Sequence, residues 1–89
     1  MKYQHLDFTD HFLSTLLRKE FSLPEKHLFL KALRLLDENE RHPSLRVHQL
    51  HGDQVGVWSA SASEDLRVRF LRTAGGRKEL LDCSRHYQK

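Results

Sequence analysis

From Leu45 onward the chain carries three stretches in which every second residue is apolar. Leu45 and Val47 alternate with Arg46 and His48, Val55 and Val57 with Gly56 and Trp58, and Leu66, Val68 and Phe70 with Arg67 and Arg69. A period of two is that of strands with one apolar and one polar face. The run KELLDCSRHY supplies a further strand. Turn signals at Gly52-Asp53, Ser63-Glu64-Asp65 and Gly75-Gly76 separate these segments, so the pattern predicts a meander of antiparallel hairpins.

Before Pro43 the period is helical. Phe8, Phe12, Leu13, Leu16 and Leu17 recur at helical spacing behind Thr9 or Asp10 as N-cap, which predicts a helix running into Phe21 and stopping near Ser22. Ser22-Leu23-Pro24-Glu25 combines a capping box with a proline in the first turn and restarts a helix. Leu28, Phe29, Ala32, Leu33, Leu35 and Leu36 give it a broad apolar stripe, with Lys31, Arg34, Asp37 and Glu38 mostly opposite. Asn39-Glu40 ends it, and Pro43 disfavours helical backbone at His42. Met1 to Leu6 reads as a brief edge strand through Tyr3 and Leu6.

These elements predict an α+β domain spanning residues 1–89, in which two N-terminal helices pack on one face of a small twisted, mainly antiparallel sheet. The helices would cover the apolar face. The other face would then present His48, Arg67 and Arg69 together, because residues two apart on a strand share a face.

Composition sharpens that picture at one point. The formal charge is only +3, but residues 41 to 77 hold Arg41, Arg46, Arg67, Arg69, Arg72 and Arg77 against Asp53, Glu64 and Asp65. An arginine-rich sheet suits phosphate oxygens, which a guanidinium grips in two-pronged fashion. Cys83 is the only cysteine, so no internal disulfide and no cysteine-based metal cluster are expected; it reads as a small buried hydrophobe. The seven histidines include no pair with a carboxylate or thiol at ligand spacing, so neither metal nor cofactor is expected. Short apolar runs predict no signal peptide and no membrane span, and hence a cytoplasmic protein. Gly75-Gly76 reads as a hairpin turn, not a phosphate loop.

Three segments carry a resemblance: His42-Pro43-Ser44-Leu45-Arg46 followed by His48 and Leu50; Trp58-Ser59 followed by Asp65-Leu66-Arg67-Val68-Arg69-Phe70; and Cys83-Ser84-Arg85-His86-Tyr87. In order and spacing they resemble the RelE/ParE superfamily of type II toxin–antitoxin toxins, in particular the mRNA interferase branch of RelE, YoeB and YafQ. The resemblance implies a RelE-like fold and a toxin that enters the ribosome and cuts mRNA, neutralised by a cognate antitoxin. The implied chemistry is metal-free attack of a ribose 2′-hydroxyl on the adjacent phosphate. It also implies roles: Arg67 stabilises the phosphorane, His86 is the general acid, and His48 is the base. Arg46, Arg69, Arg85, Trp58 and Tyr87 would contact RNA, Tyr87 by stacking on a base. Ser44 and Ser61 stand where related toxins carry a glutamate and a histidine. Two other readings stay open: a ParE-like inhibitor of DNA gyrase, and a catalytically degenerate toxin fold that only binds antitoxin or RNA.

Overall fold

The computed structural model describes residues 3–85. In chain order it has β1 (Leu6–Asp7), α1 (Asp10–Leu16), α2 (Leu23–Glu38), β2 (His48–Gln49), β3 (Val57–Ser61), β4 (Leu66–Thr73) and β5 (Arg77–Arg85). The strands form a single sheet of order β1-β5-β4-β3-β2, parallel only between β1 and β5. The expected α+β architecture is therefore present, with α1 lying over β5 and α2 over β4 and β3. Between the layers sit Phe12 and Leu16 of α1, Phe29, Leu33 and Leu36 of α2, and Leu66, Val68, Phe70 and Leu80 of the sheet, all buried.

Helix α2 starts as its capping box dictates. The Glu25 N–H donates to Ser22 Oγ at 3.2 Å, and the Ser22 N–H donates to Glu25 Oε1 at 2.9 Å. Helix α1 departs from expectation: it ends at Leu16 with Leu17 as C-cap, and a turn brings the chain to Phe21. Nine residues separate Phe12 from Phe21, which is two and a half helical turns. A continuous helix would point Phe21 away from the core, whereas the break buries it to 2% exposure with its ring 4.9 Å from Phe29. Leu13 and Leu17, on the expected stripe, are 41% and 68% exposed.

Three strand boundaries also differ. Of the expected strand at Met1 to Leu6, Met1 and Lys2 lie outside the described residues and pairing begins only at Leu6; the N–H groups of Gln4 and His5 instead donate to the Asp37 carboxylate. Pro43–Leu45 forms a 3-10 turn where alternation suggested a strand, capped by His42 Nδ1, which accepts the Ser44 N–H. The turn and the left-handed backbone at Arg46 (φ 46°) still bury Leu45 and leave Val47 half-buried, which is why the text reads like a strand. Val55 is 79% exposed in the loop before β3, which starts after Gly56 at φ 87°.

One irregularity sets the geometry of the site. Arg69 pairs with Asp82 but Phe70 with Leu80, so Leu81 is a bulge. Strict alternation from Leu80 would have turned Asp82 into the core; the extra residue turns Asp82 outward and buries Cys83. On the far edge of β5, where β1 covers only Lys78 and Glu79, α1 completes the hydrogen bonding. Thr9 Oγ1 donates to the Leu80 carbonyl at 3.0 Å, and Thr15 Oγ1 accepts the Cys83 N–H at 2.8 Å.

Candidate RNA-binding groove

Directly opposed residues in an antiparallel ladder share a face. His48, Ser59, Arg69 and Asp82 form one row across four strands, and Ser61, Arg67 and Ser84 form the next. Both rows look away from the helices. They open on a groove of about 440 Å³ lined by His48, Ser59, Arg67, Arg69, Ser84 and Arg85, with Leu50 and Gln54 from the β2–β3 connection at its margin. The volume lies in the range typical of ligand pockets.

The two groove arginines differ. Arg69 is neutralised: its Nε and Nη2 both meet the Asp82 carboxylate, the former at 2.8 Å, and its Nη1 donates to Gln54 Oε1 at 2.5 Å. The hydrogen bonds that Arg69 donates to the Asp82 carboxylate hold the Arg69 pKa above its ordinary value. Arg67 spends only Nη1, on the carbonyls of Ser63 (2.7 Å) and Leu66 (3.0 Å). Among the described residues no carboxylate pairs with it, so its Nε and Nη2 remain available as a two-pronged donor edge.

His48 is oriented by its own neighbour. Its Nδ1 lies 2.8 Å from the Arg46 carbonyl, an atom that only accepts, so Nδ1 carries the proton and the neutral ring keeps its lone pair on Nε2. The left-handed Arg46 backbone (φ 46°, ψ 46°) makes this contact possible. Such a conformation in a residue other than glycine is strained by about 1 kcal/mol.

The other sequence-predicted residues divide. Arg85 stands opposite Leu66 at the end of β5, where it borders the groove although its guanidinium is tied to carboxylates. Its guanidinium meets Asp65 at 2.6 Å and Glu25 at 2.8 Å and lies 5.8 Å from the Phe21 ring. Asp65 is held below the usual carboxylate range chiefly by Arg85, and Glu25 by the Ser22 N–H and then Arg85. Trp58 stands opposite Phe70 and Arg46 lies beyond the groove, so neither lines it. His86 and Tyr87 lie outside the described residues. Asp82 and Gln54 were not legible as site residues, since the only signal for Asp82 was an acidic residue in a strand that alternation would have turned inward.

Among the described residues no group of three or more His, Cys, Asp or Glu is placed to hold a metal ion. Burial pushes the Cys83 thiol up to about 12, so it stays protonated and packs as a hydrophobe. Among the described residues no helix is long and apolar enough to cross a membrane.

No protein-family model and no curated protein matches this sequence. Solved structures do. The YoeB/ParE toxin from Agrobacterium tumefaciens matches with a TM-score of 0.73 at 19% identity, over 94% of this chain and 100% of that one. A chain of the DinJ–YafQ toxin–antitoxin complex from E. coli matches with a TM-score of 0.69 at 13% identity, over 96% and 94%. A chain of the YoeB–YefM complex from Staphylococcus aureus matches with a TM-score of 0.68 at 13% identity, over 93% and 97%.

Proposed function

We propose, taking as premise that this chain has a RelE/YoeB/YafQ-like toxin fold, that it is the toxin of a type II toxin–antitoxin system and cuts mRNA on the ribosome. The observation that carries the reading is the unneutralised donor edge of Arg67 in the same groove as a His48 ring whose Nε2 is free to accept a proton. Their strands are two spacings apart, about 10 Å, a separation that a ribose and its phosphate can bridge between two long side chains.

In this mechanism His48 Nε2 removes the proton of a ribose 2′-hydroxyl. The oxygen attacks the adjacent phosphorus, and the charge that gathers on the phosphorane meets the Nε and Nη2 donors of Arg67. Protonated His86 gives its proton to the departing 5′-oxygen, leaving a 2′,3′-cyclic phosphate and a 5′-hydroxyl. Every charge and proton in the sequence is handled by side chains, so the chemistry calls for no metal. Arg69, tied to Asp82 and Gln54, shapes the groove wall, and Arg85 anchors the end of β5 one peptide bond from His86. Tyr87 stacks on a base. The protein works in the cytoplasm, where a cognate antitoxin covers the groove.

The test is primer extension on cellular mRNA after induction of the native chain, Arg67→Ala and His86→Ala. Cuts within translated codons that vanish in both variants are expected. Growth arrest with intact mRNA would instead point to a protein target such as gyrase, and no arrest would mark a degenerate toxin fold.

A further inference from the structure

Arg46 and Trp58 are part of a second cluster, away from the groove. Trp58 is one residue out of phase with Ser59, so its indole sits on the other side of the sheet, beyond the end of α2. The Arg72 guanidinium lies 4.2 Å from the indole centroid and grips Glu40 with both terminal nitrogens, at 3.2 and 2.6 Å. Lys78, only 4% exposed, stands 3.4 Å from the same carboxylate. Arg41, His42 and Arg46 complete the lining of a hollow of about 390 Å³ with Glu40, Trp58 and Arg72.

The charge there is one-sided. Arg41, Arg46 and Arg72 line the hollow with a single carboxylate, Glu40, which already serves Arg72 and the buried Lys78 and is held below the usual range chiefly by Arg72. Arg41 and Arg46 have no acidic partner among the described residues. Two unpaired guanidinium groups beside a third stacked on an indole suit a phosphodiester backbone.

The hollow lies across the edge of the sheet from the groove. β2 is the outermost strand and only two residues long, so a narrow edge separates them. Arg46 belongs to both sides: its carbonyl accepts from His48 Nδ1 at 2.8 Å, and its side chain lines the hollow. We infer that the hollow is a second RNA site, which takes backbone phosphates of the same strand after it leaves the groove across the β2 edge. The inference rests on RNA being the groove's ligand.

Trp58 is the sole tryptophan and stands in the hollow, so its fluorescence reports occupancy. The probe is a single-stranded RNA 12-mer, 2′-O-methylated throughout so that it cannot be cut, titrated against the native chain, Arg67→Ala, and the double variant Arg41→Ala/Arg46→Gly. Glycine suits the left-handed backbone at 46, so the double variant removes two exposed side chains without disturbing that turn. Saturable change of Trp58 emission is expected in the native chain and in Arg67→Ala. In the double variant the slope of log affinity against log salt should fall by about 1.4, or about 0.7 for each of two phosphates on a single strand. An unresponsive Trp58, or a response lost in Arg67→Ala and intact in the double variant, would overturn the inference. So would an equal response to inorganic phosphate, which would mark an anion pocket and not a strand site. Cleavage is read separately, by primer extension on cellular mRNA: intact mRNA after induction while Trp58 responds in the titration refutes the nuclease reading and leaves the second site standing.

Discussion

The two faces of β4 obey different rules. Leu66, Val68 and Phe70 are each no more than 1% exposed under the helices, and alternation alone is enough to put them there. Arg67 and Arg69, on the other face, are the same residue type two positions apart, yet one is neutralised and the other is not. The difference comes from β5, which sets Asp82 opposite Arg69 and Ser84 opposite Arg67. Burial on the core face follows from periodicity; charge on the groove face follows from register.

The largest effect should come from the core face. Phe70→Ala should destabilise the domain by about 3–5 kcal/mol, as expected for an aromatic ring removed from a packed interior, read from the urea midpoint. Arg67→Ala should leave that midpoint nearly unmoved. A small loss in Phe70→Ala would show that the helix–sheet interface is not what holds the fold.

On the groove face, Arg67→Ala should slow RNA cleavage about 100- to 1,000-fold, the scale of losing one donor to a developing oxyanion. Ser84→Asp sharpens the comparison, because it gives Arg67 the kind of partner that Arg69 has. Cleavage should fall in the same direction with folding intact, and adding Ser84→Asp to Arg67→Ala should do little more. Undiminished cleavage in Ser84→Asp would mean that the charge of Arg67 is not what RNA meets.

The converse change, Asp82→Asn, should release Arg69. Affinity for single-stranded RNA should rise, with a salt slope steeper by about 0.7. Weaker binding would show instead that the Arg69–Asp82 pair supports the groove wall.

The smallest effect concerns Arg85, whose guanidinium is tied to Glu25 and Asp65. Glu25 and Asp65 around it have folded-state pKa values below their ordinary ones. A depressed carboxylate pKa contributes stability that is full above the unfolded value, about 4, and is lost as pH falls through the folded value. The thermal midpoint should therefore be flat down to about pH 5 and decline below about pH 4, and Arg85→Ala should shallow that decline. An unchanged slope would remove these pairs as its source.

Much of this arrangement could be read from local text. Ser22 and Glu25 announce a helix start that the structure repeats atom for atom, and the alternation of Leu66 to Phe70 places Arg67 and Arg69 on a common face with His48. The short α1 was less legible because its stripe continues past Leu17, and only packing on Phe29 shows why Phe21 must leave the helix. Leu45 to His48 carries a strand's alternation but forms a turn, since a 3-10 turn followed by a left-handed residue puts Leu45 and Val47 inward just as a strand would.

By itself the sequence determined the order of helices and strands, the apolar faces of α2 and β4, the turns, and the gathering of arginine and histidine on the open face. These depend on periods and caps spanning a few neighbouring residues. Tertiary structure alone decided the bulge at Leu81, the pairing of Asp82 with Arg69 across 13 residues, the union of Glu40 with Arg72 across 32, and the side of the sheet on which Trp58 lies. Those outcomes depend on how strands slide past one another, and a shift of one residue exchanges every side chain between faces. No local pattern records that shift, so the charge left free in the groove is a property of the assembled sheet.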